Sequence, residues 1–229
     1  MNVAIIVAAG QGARMGGGRA KQFLELAGVP VIVHTLRRFE QCATIDAYVV
    51  VLPTTETSGF LTIAEHYKLR KLTRLVAGGT TRTESVARGL QAVQAATAGI
   101  IAVHDGVRPF VTPAEIDRTV RAAETSGAAI LVAPIVDTIK ETHDDQITRT
   151  LPREQLRRAL TPQCFRYDLL CRAYEHARTQ KLDMTDCSAL VEQLGVAVTI
   201  IEGDPRNIKL TRPEDLALAE ILLREFEKK

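Results

Sequence analysis

Residues 3–23 have the sequence VAIIVAAGQGARMGGGRAKQF. The run Val3–Ala8 is continuously apolar, rich in β-branched residues and followed by glycine, which is typical of a strand buried on both faces. The next residues hold five glycines together with Arg14, Arg19 and Lys21. Glycines let backbone N–H groups approach an anion closely, and neighbouring cations complete a polyphosphate site. The stretch therefore predicts an α/β fold with a phosphate-binding loop after its first strand, at the sheet edge where such folds bind ligands. A basic loop whose cations are simply solvated is the alternative.

Neither of the two common nucleotide-binding motifs fits this loop. A dinucleotide fingerprint beginning at Gly10 needs a glycine at position 15, where the chain has Met15, and an acidic residue about 20 positions later, where it has Pro30 and Val31. A Walker A loop starting at Gly12 needs Lys and then Ser or Thr, but Gly18 and Arg19 follow. The cations inside the loop favour direct charge stabilisation of a reacting polyphosphate instead.

Strand and helix patterns alternate outward from this loop, which predicts a mostly parallel mixed sheet with helices on both faces in one Rossmann-like, three-layer α/β domain over residues 1–229. The predicted strands are Val3–Ala8, Ala47–Leu52, Arg74–Val76, Ile100–Val103, Ala128–Ala133 and Ala197–Ile201. The predicted helices are Val31–Phe39, Phe60–His66, Thr83–Ala95, Pro113–Ser126, Tyr167–Arg178, Cys187–Leu194 and Pro213–Phe226. Residues 137–160 are polar and weakly periodic, so we expect a protruding arm there, with a hairpin around Asp144-Asp145.

Composition narrows the functional class. The chain has 229 residues, 46% of them hydrophobic and 24% charged, with a formal net charge of +2. This balance argues against a nucleic-acid partner, and the longest apolar runs are too short to span a bilayer. The N-terminus lacks the features of a signal peptide, and four widely spaced cysteines form neither a disulfide framework nor a zinc motif. We expect a cytoplasmic protein.

Two further positions carry candidate chemistry. Asp105 follows the predicted strand Ile100–Val103, where its carboxylate could hold a hard divalent ion such as Mg²⁺ or could instead cap the turn or pair with Arg108. Ser85 falls in the first turn of a predicted helix, where its hydroxyl could reach a base edge, although Thr81 or Thr83 could cap that helix in an ordinary way. The residues alone leave both choices open.

Several short blocks, in order along the whole chain, resemble the nucleotidyltransferases that activate sugar or polyol phosphates. More narrowly, the chain is similar to the 2-C-methyl-D-erythritol 4-phosphate cytidylyltransferase family of the non-mevalonate isoprenoid pathway. The blocks are AAGQGARM with KQ (8–15 and 21–22), GGTTRTESV (78–86), HDGVRPF (104–110), DTIK (137–140), ALTPQCF (159–165), MTDCSALVE (184–192) and NIKLTRPEDLALAE (207–220).

The resemblance implies cytidylyl transfer from CTP to a polyol phosphate, with Mg²⁺ or another hard divalent cation as cofactor, in a homodimer formed through the 137–160 arm. It implies catalytic roles for Arg14, Lys21, Arg153 and Lys209. It implies nucleotide contacts for Ala8, Ala9, Gly10, Gly12, Gly79, Thr80 and Ser85. It implies substrate contacts for Arg108, Thr138, Thr161 and Thr185, and a metal ligand at Asp105. His104 is expected to be structural, because the attacking phosphate oxygen is already ionised near neutral pH and needs no base.

One departure keeps the substrate open at this point. Many relatives have HDAAR where this chain has His104-Asp105-Gly106-Val107-Arg108. Ribitol 5-phosphate cytidylyltransferases can look alike in this block and are the nearest alternative. A non-catalytic nucleotide-binding protein is a second alternative, and a nicotinamide dehydrogenase, disfavoured by Met15, is a third.

Overall fold

The computed structural model describes residues 1–10 and 20–226 of the chain. Within these residues the strands are Val3–Val7 (β1), Glu25–Leu26 (β2), Val29–Pro30 (β3), Ala47–Leu52 (β4), Leu72–Ala77 (β5), Ile100–Asp105 (β6), Ala128–Pro134 (β7), Ile139–His143 (β8), Gln146–Leu151 (β9), Arg157–Arg166 (β10) and Thr199–Glu202 (β11). The α-helices of the same residues are Val31–Glu40 (α1), Thr57–His66 (α2), Arg82–Gln91 (α3), Pro113–Ser126 (α4), Tyr167–Gln180 (α5), Cys187–Glu192 (α6) and Glu214–Phe226 (α7). None of these helices combines the length and apolar character needed to cross a membrane.

A seven-stranded sheet organises the molecule, in the order β11-β7-β10-β6-β1-β4-β5. The pairs β1/β4, β1/β6, β4/β5 and β7/β11 are parallel, and only β10 runs antiparallel to its neighbours β6 and β7. The mostly parallel mixed sheet predicted from the alternating pattern is therefore confirmed.

The first strand is buried on both faces, as its unbroken apolar sequence predicts. Ala4 and Ile6 pack into a core that contains side chains of α1 and α4. Val3 and Ile5 point the other way, into a second core that contains side chains of α3 and α5. Because side chains alternate along a strand, a strand with a core on each face needs apolar residues at every position.

Helix α4 begins where its sequence signals predict. The Thr112 hydroxyl accepts a hydrogen bond from the Glu115 backbone N–H, and the Glu115 carboxylate accepts one from the Thr112 backbone N–H, while Pro113 occupies the first helical position. At the other end Gly127 adopts a φ of 88°, which glycine accommodates without a Cβ clash.

The arm is shorter than the predicted 137–160. Strands β8 and β9 form an antiparallel hairpin whose turn, Asp144-Asp145, has φ angles of 44° and 61°. The hairpin expected around these residues is confirmed, and the side chains of residues 140–150 are exposed. Residues 157–160, however, belong to β10 and pair with β7 in the main sheet, so the predicted arm boundary is corrected to exclude them.

Candidate active site

A cavity of about 270 Å³ opens at the carboxyl ends of β1 and β6. The chain runs from β1 outward to β4 and β5 and then returns to β6 on the other side of β1. Such a change of direction leaves a crevice between neighbouring strand ends, where open α/β sheets bind ligands. The cavity is lined by Ala8, Ala9 and Gly10 after β1, by the loop before α3, and by Lys21, Asp105 and Lys209.

Two glycines allow the loops around this cavity to approach one another. A Cβ atom on Gly78 would lie 2.1 Å from the Cβ of Ala9, and one on Gly106 would lie 2.8 Å from the Cβ of Ala8. Both distances are shorter than van der Waals contact allows. A residue with a Cβ at position 106 would therefore require Ala8 or the turn after β6 to shift.

Asp105 is the centre of the charge arrangement. Its carboxylate lies 3.4 Å from Arg82 Nε, 3.2 Å from Arg108 Nε and 3.0 Å from Lys209 Nζ. The Asp105 side chain is only 7% exposed, so solvent screens these pairs weakly. Three cations from three separate segments converge on one carboxylate. Arg82 and Lys209 line the cavity together with Lys21, which leaves an excess of positive charge there, whereas Arg108 contacts Asp105 without being part of the lining.

The same cations keep Asp105 ionised. Burial alone would raise the pKa of this carboxyl, but the charges of Arg82, Lys209 and Arg108 outweigh burial and hold its pKa well below the usual range. Burial also lowers the pKa of Arg108, and the nearby Asp105 carboxylate opposes that shift. The ion pair between Asp105 and Arg108, one of the roles that the sequence left open for Asp105, is present together with ion pairs to Arg82 and Lys209.

A buried polar chain fixes the strand end that carries Asp105. The Asp105 backbone N–H donates to Thr161 Oγ1 (3.2 Å), and this hydroxyl lies 3.0 Å from His104 Nδ1. On the far side of the imidazole, His104 Nε2 lies 3.2 Å from the carbonyl oxygen of Arg108. A carbonyl only accepts, so the network assigns the His104 proton to Nε2 and makes Nδ1 the acceptor of the Thr161 hydroxyl proton.

Thr161 and His104 thus fix the position of the Asp105 backbone through buried hydrogen bonds. Thr161 is 4% exposed and His104 is fully buried, and burial lowers the pKa of His104 to about 4. His104 is neutral at physiological pH, in keeping with the structural role expected for it. The Thr161 hydroxyl is used within this network, so its geometry favours positioning of Asp105 over the direct substrate contact that the resemblance implies.

The loop before α3 and the first turns of that helix contribute Gly79, Thr80, Thr81 and Ser85 to the lining of the cavity. Ser85 Oγ donates to the Thr81 carbonyl (2.9 Å) and accepts from the Gly79 backbone N–H (3.1 Å). The Thr80 backbone N–H and hydroxyl both donate to the Glu84 carboxylate. Thr81 caps the helix through the Glu84 N–H, so ordinary capping of α3 falls to Thr81. The proton of Ser85 is committed to this loop, so Ser85 can offer only its remaining lone pair to a base.

The predicted residues of the arm and of the loop before α6 are not brought to the cavity. Arg153 is exposed, donates to the Val136 carbonyl (2.9 Å) and lies 3.7 Å from Glu154. Thr138 and Thr185 are also exposed. None of the described residues that line the cavity comes from residues 137–160 or is Thr185. Gly12 and Arg14 lie outside the described residues, so their predicted roles stay predictions.

The donor set near Asp105 suits a divalent metal only in combination with a phosphorylated ligand. Within residues 1–10 and 20–226, no group of three His, Cys, Asp or Glu side chains is placed to hold an ion. Mg²⁺ commonly binds one or two carboxylates together with substrate phosphates, and a single hard carboxylate fits that pattern. Three cations against the same carboxylate disfavour a bare metal ion there.

Arg82 is the functional candidate that the sequence reasoning missed. It is the first residue of α3 and lies between Asp105 and the Cys187 thiol, 3.6 Å from Sγ. A cation is disfavoured at a helix N-terminus because the helix dipole is positive there. An arginine in the first turn was therefore a signal in the sequence that some other partner, here Asp105, holds it.

A larger groove of about 670 Å³ lies between α3 and α5. Its lining includes Tyr174, Leu90 and Glu175 but neither Asp105, Lys21 nor Lys209. Volume alone does not locate chemistry, and the smaller cavity holds the converging charges.

Comparison with known proteins follows the same lines. A model of the IspD family, 2-C-methyl-D-erythritol 4-phosphate cytidylyltransferase, matches residues 2–225. The protein of that name from Pelotomaculum thermopropionicum is 44% identical over 223 residues, 96% of this chain and 93% of the relative. That from Syntrophotalea carbinolica is 45% identical over 220 residues, 96% of this chain and 94% of the relative.

Solved structures agree with the sequence relatives. A 4-diphosphocytidyl-2C-methyl-D-erythritol synthase from Anaerococcus prevotii superposes with a TM-score of 0.87 at 30% identity, covering 97% of this chain and 96% of the other. The 2-C-methyl-D-erythritol 4-phosphate cytidylyltransferase from Thermus thermophilus superposes with a TM-score of 0.78 at 36% identity, covering 98% and 100%.

Proposed function

The chain belongs to the 2-C-methyl-D-erythritol 4-phosphate cytidylyltransferase family, and we propose that the cavity around Asp105 is where it carries out that family's reaction. The enzyme transfers the cytidylyl group of CTP to 2-C-methyl-D-erythritol 4-phosphate in isoprenoid biosynthesis, and pyrophosphate is released. The observation that carries the assignment of the site is the convergence of Arg82, Arg108 and Lys209 on Asp105.

The chemistry explains why such a site is needed. An oxygen of the acceptor phosphate attacks the α-phosphorus of CTP, a new P–O bond forms, and the bond between the α-phosphorus and the oxygen bridging to the β-phosphate breaks. Both reactants are anions, so most of the catalytic work is to neutralise charge and hold the groups in line. Lys21, which lines the cavity, supplies positive charge on the nucleotide side, and Arg14 is its predicted partner.

On the acceptor side, Arg108 and Lys209 hold the polyol phosphate. Their positions are set from behind: Arg108 Nη1 donates to the Asn207 carbonyl (2.9 Å), and Lys209 pairs with Asp105. Groups held before the ligand arrives lose little entropy when they bind it. Gly79, Thr80 and Ser85 recognise the cytosine through carbonyls and a hydroxyl lone pair.

Mg²⁺ is the cofactor of this proposal, with Asp105 as its protein ligand. When bound, the ion supplies Lewis-acid stabilisation of the charge on the triphosphate oxygens. The three cations around Asp105 favour entry of the ion together with the triphosphate, whose charge offsets theirs.

Arm residues complete the site in a homodimer. Arg153 and Thr138 do not line the cavity of their own chain, and the exposed hairpin carries Ile147 with 64% of its surface open. A partner's arm would bring both residues to the acceptor.

The cysteines Cys42, Cys164, Cys171 and Cys187 are free, which supports a reducing cytoplasm.

Pyrophosphate release tests the reaction and the division of roles. CTP with 2-C-methyl-D-erythritol 4-phosphate is expected to release pyrophosphate far faster than CTP with ribitol 5-phosphate, or ATP with either acceptor.

Lys21→Ala is expected to lower kcat by about 100-fold, as loss of one donor to a developing charge typically does. Lys209→Ala is expected instead to raise KM for the acceptor with little change in the Kd of CTP. Equal weakening of CTP binding by both variants would contradict the separation.

A further inference from the structure

Two glutamines of this chain are almost completely buried, and they differ in one respect. Gln22 and Gln163 are each 1% exposed. Gln163 Oε1 accepts from the backbone N–H groups of Cys187 (2.9 Å) and Ser188 (3.3 Å), and its Nε2 donates to Asp186 Oδ2 (2.9 Å). Gln22 Nε2 has no hydrogen-bond partner among residues 1–10 and 20–226. Buried polar groups are nearly always bonded, because leaving one unpaired costs free energy, so the unpaired amide requires an explanation.

The position of Gln22 supplies that explanation. Its side chain lines the same cavity as Lys21, Asp105 and Lys209. Of the few buried side-chain N or O atoms without a partner in the described part of the chain, a second, Arg82 Nη2, belongs to a residue of the same lining. Both atoms are hydrogen-bond donors, and both residues line a cavity whose charged lining, Lys21, Arg82, Lys209 and Asp105, carries more positive than negative groups.

Gln22 is also held firmly in place. It is the middle residue of a short 3₁₀ turn, Lys21–Phe23, in which Phe23 N–H donates to the Ala20 carbonyl (2.9 Å). Phe23 is 2% exposed and its ring packs edge-on against Phe60, with centroids 6.2 Å apart. A donor anchored this way binds a ligand atom with little loss of conformational freedom.

We propose that Gln22 is a nucleotide-binding residue whose amide NH₂ donates a hydrogen bond to a phosphate oxygen of CTP. The proposal rests on the function proposed for this cavity. The turn that carries Gln22 also carries Lys21, which the proposed function assigns to the triphosphate, so the triphosphate is the anionic group of the ligand within reach of Gln22. The amide complements the lysines because a neutral donor adds direction without adding charge.

The matched pair Gln22→Met and Gln163→Met tests this inference, since methionine keeps the length and removes the amide. CTP and cytidine binding are measured by calorimetry with Mg²⁺ present, and melting temperature is measured without ligand. Gln22→Met is expected to weaken CTP binding by about 10-fold or more, because hydrogen bonds to charged groups are the strong ones. Cytidine binding is expected to stay unchanged, as is the melting temperature. Gln163→Met is expected to lower the melting temperature, because it strands the donors of Cys187 and Ser188.

The variant Gln22→Glu tests whether the amide nitrogen or the amide oxygen of Gln22 faces the ligand, because rotating the amide by a half-turn exchanges these two atoms. A carboxylate accepts but does not donate, so this variant is expected to bind CTP even less well than Gln22→Met. Native CTP binding by either Gln22 variant, or an equal loss for cytidine and CTP, would overturn the proposal. A wild-type protein that binds CTP but releases no pyrophosphate contradicts the proposed function instead, and the comparison of CTP binding by the variants is still decisive.

Discussion

The position of one proton on the His104 imidazole determines how the stability of the site depends on pH. His104 keeps its proton on Nε2, facing the Arg108 carbonyl, and offers Nδ1 to the Thr161 hydroxyl. Protonation of Nδ1 would place a donor against a hydroxyl that already donates, inside a site with several cations. The neutral ring therefore belongs to the folded state, and the ionised ring is accommodated only when the site opens.

His104 is expected to make stability depend on pH below neutrality. Its pKa falls from about 6.5 in the unfolded chain to about 4 in the folded protein, mainly through burial. The unfolded chain then binds the extra proton between these values, so the stabilisation is complete above pH 6.5 and is lost as pH falls toward 4. The loss is on the order of 3 kcal/mol, measurable as the unfolding free energy by urea titration at several pH values.

The variant His104→Gln is expected to remove the contribution of His104 to the change of unfolding free energy between pH 6.5 and 4, whatever its effect on overall stability. His143→Gln is the matched control, because His143 is 81% exposed on the arm and its loss is expected to leave the slope unchanged. Parallel stability curves for the wild type and His104→Gln between pH 6.5 and 4 would contradict the assignment.

Asp105 is expected to matter more for catalysis than any other carboxylate of the described chain. Asp105→Asn is nearly isosteric but removes the charge that offsets three cations and that would hold Mg²⁺ in the proposed site, so we expect turnover with Mg²⁺ to drop by about 100-fold or more while the protein remains folded. Asp117→Asn is the control. Asp117 accepts hydrogen bonds from the Thr44 backbone N–H and the Cys42 thiol, and it is not part of the cavity lining. Steady-state rates at limiting Mg²⁺ measure the effect, and near-native turnover would rule out the metal-binding role.

The residues that sequence reasoning could place are those with a signal in the local pattern. Asp105 follows a buried apolar run and Lys21 follows a glycine loop, so each could be assigned to a strand end. Gln22 could not be selected this way, because it is distinguished only by the lack of a partner for its amide nitrogen in the described part of the folded protein. The position of Arg82 in the first turn of a helix signals that a partner exists, but it does not identify Asp105 as that partner. Whether an amide is bonded inside the fold depends on tertiary packing, which a local pattern does not encode.

At the scale of elements, the most informative error concerns β10. Its sequence, RRALTPQCFR over residues 157–166, begins with two arginines and contains Pro162. Proline removes a ladder hydrogen bond, so it argues against a central strand. The structure accommodates it where the β10–β7 register shifts between Ala159 and Gln163. An irregularity of this kind leaves residues unpaired, so the missing N–H is not required there.

The arm behaves as an element without a core of its own. A two-stranded hairpin is marginal alone in water, and this one leaves Ile147 64% exposed, while Val136, just before the hairpin, is 76% exposed. If the protein forms the proposed homodimer, deleting residues 142–147 is therefore expected to shift it toward monomer, measured by light scattering over a range of concentrations. Asp144→Asn with Asp145→Gly is the control, because Asn-Gly favours the same tight turn and is expected to keep the dimer. An unchanged dimer after the deletion would refute the role of the arm.

The whole molecule shows which properties a single chain can predict. The net charge of +2 gives no sign of a site where Arg82, Arg108 and Lys209 contact one buried carboxylate and Lys21 lines the same cavity. The location of that site was predictable, since the order of strands in a doubly wound sheet determines where a crevice forms. Whether a second chain contributes residues to the site could not be predicted from the residue pattern, because an exposed arm has the same local pattern whether or not a partner covers it.

Mixed dimers test whether two chains build each site. Arg153 lies on the arm and Asp105 lies in the cavity, so in a shared site they come from different chains. When the inactive variants Arg153→Ala and Asp105→Asn are unfolded together and refolded, about half of the dimers are mixed, and each mixed dimer contains one complete site. Activity is then expected to return to about a quarter of the wild-type value. The control mixture combines Lys21→Ala with Asp105→Asn, whose residues line one cavity of the same chain, so no site becomes complete and no activity returns. If the Arg153→Ala mixture stays as inactive as this control, Arg153 serves the site of its own chain and the arm does not exchange catalytic groups between subunits.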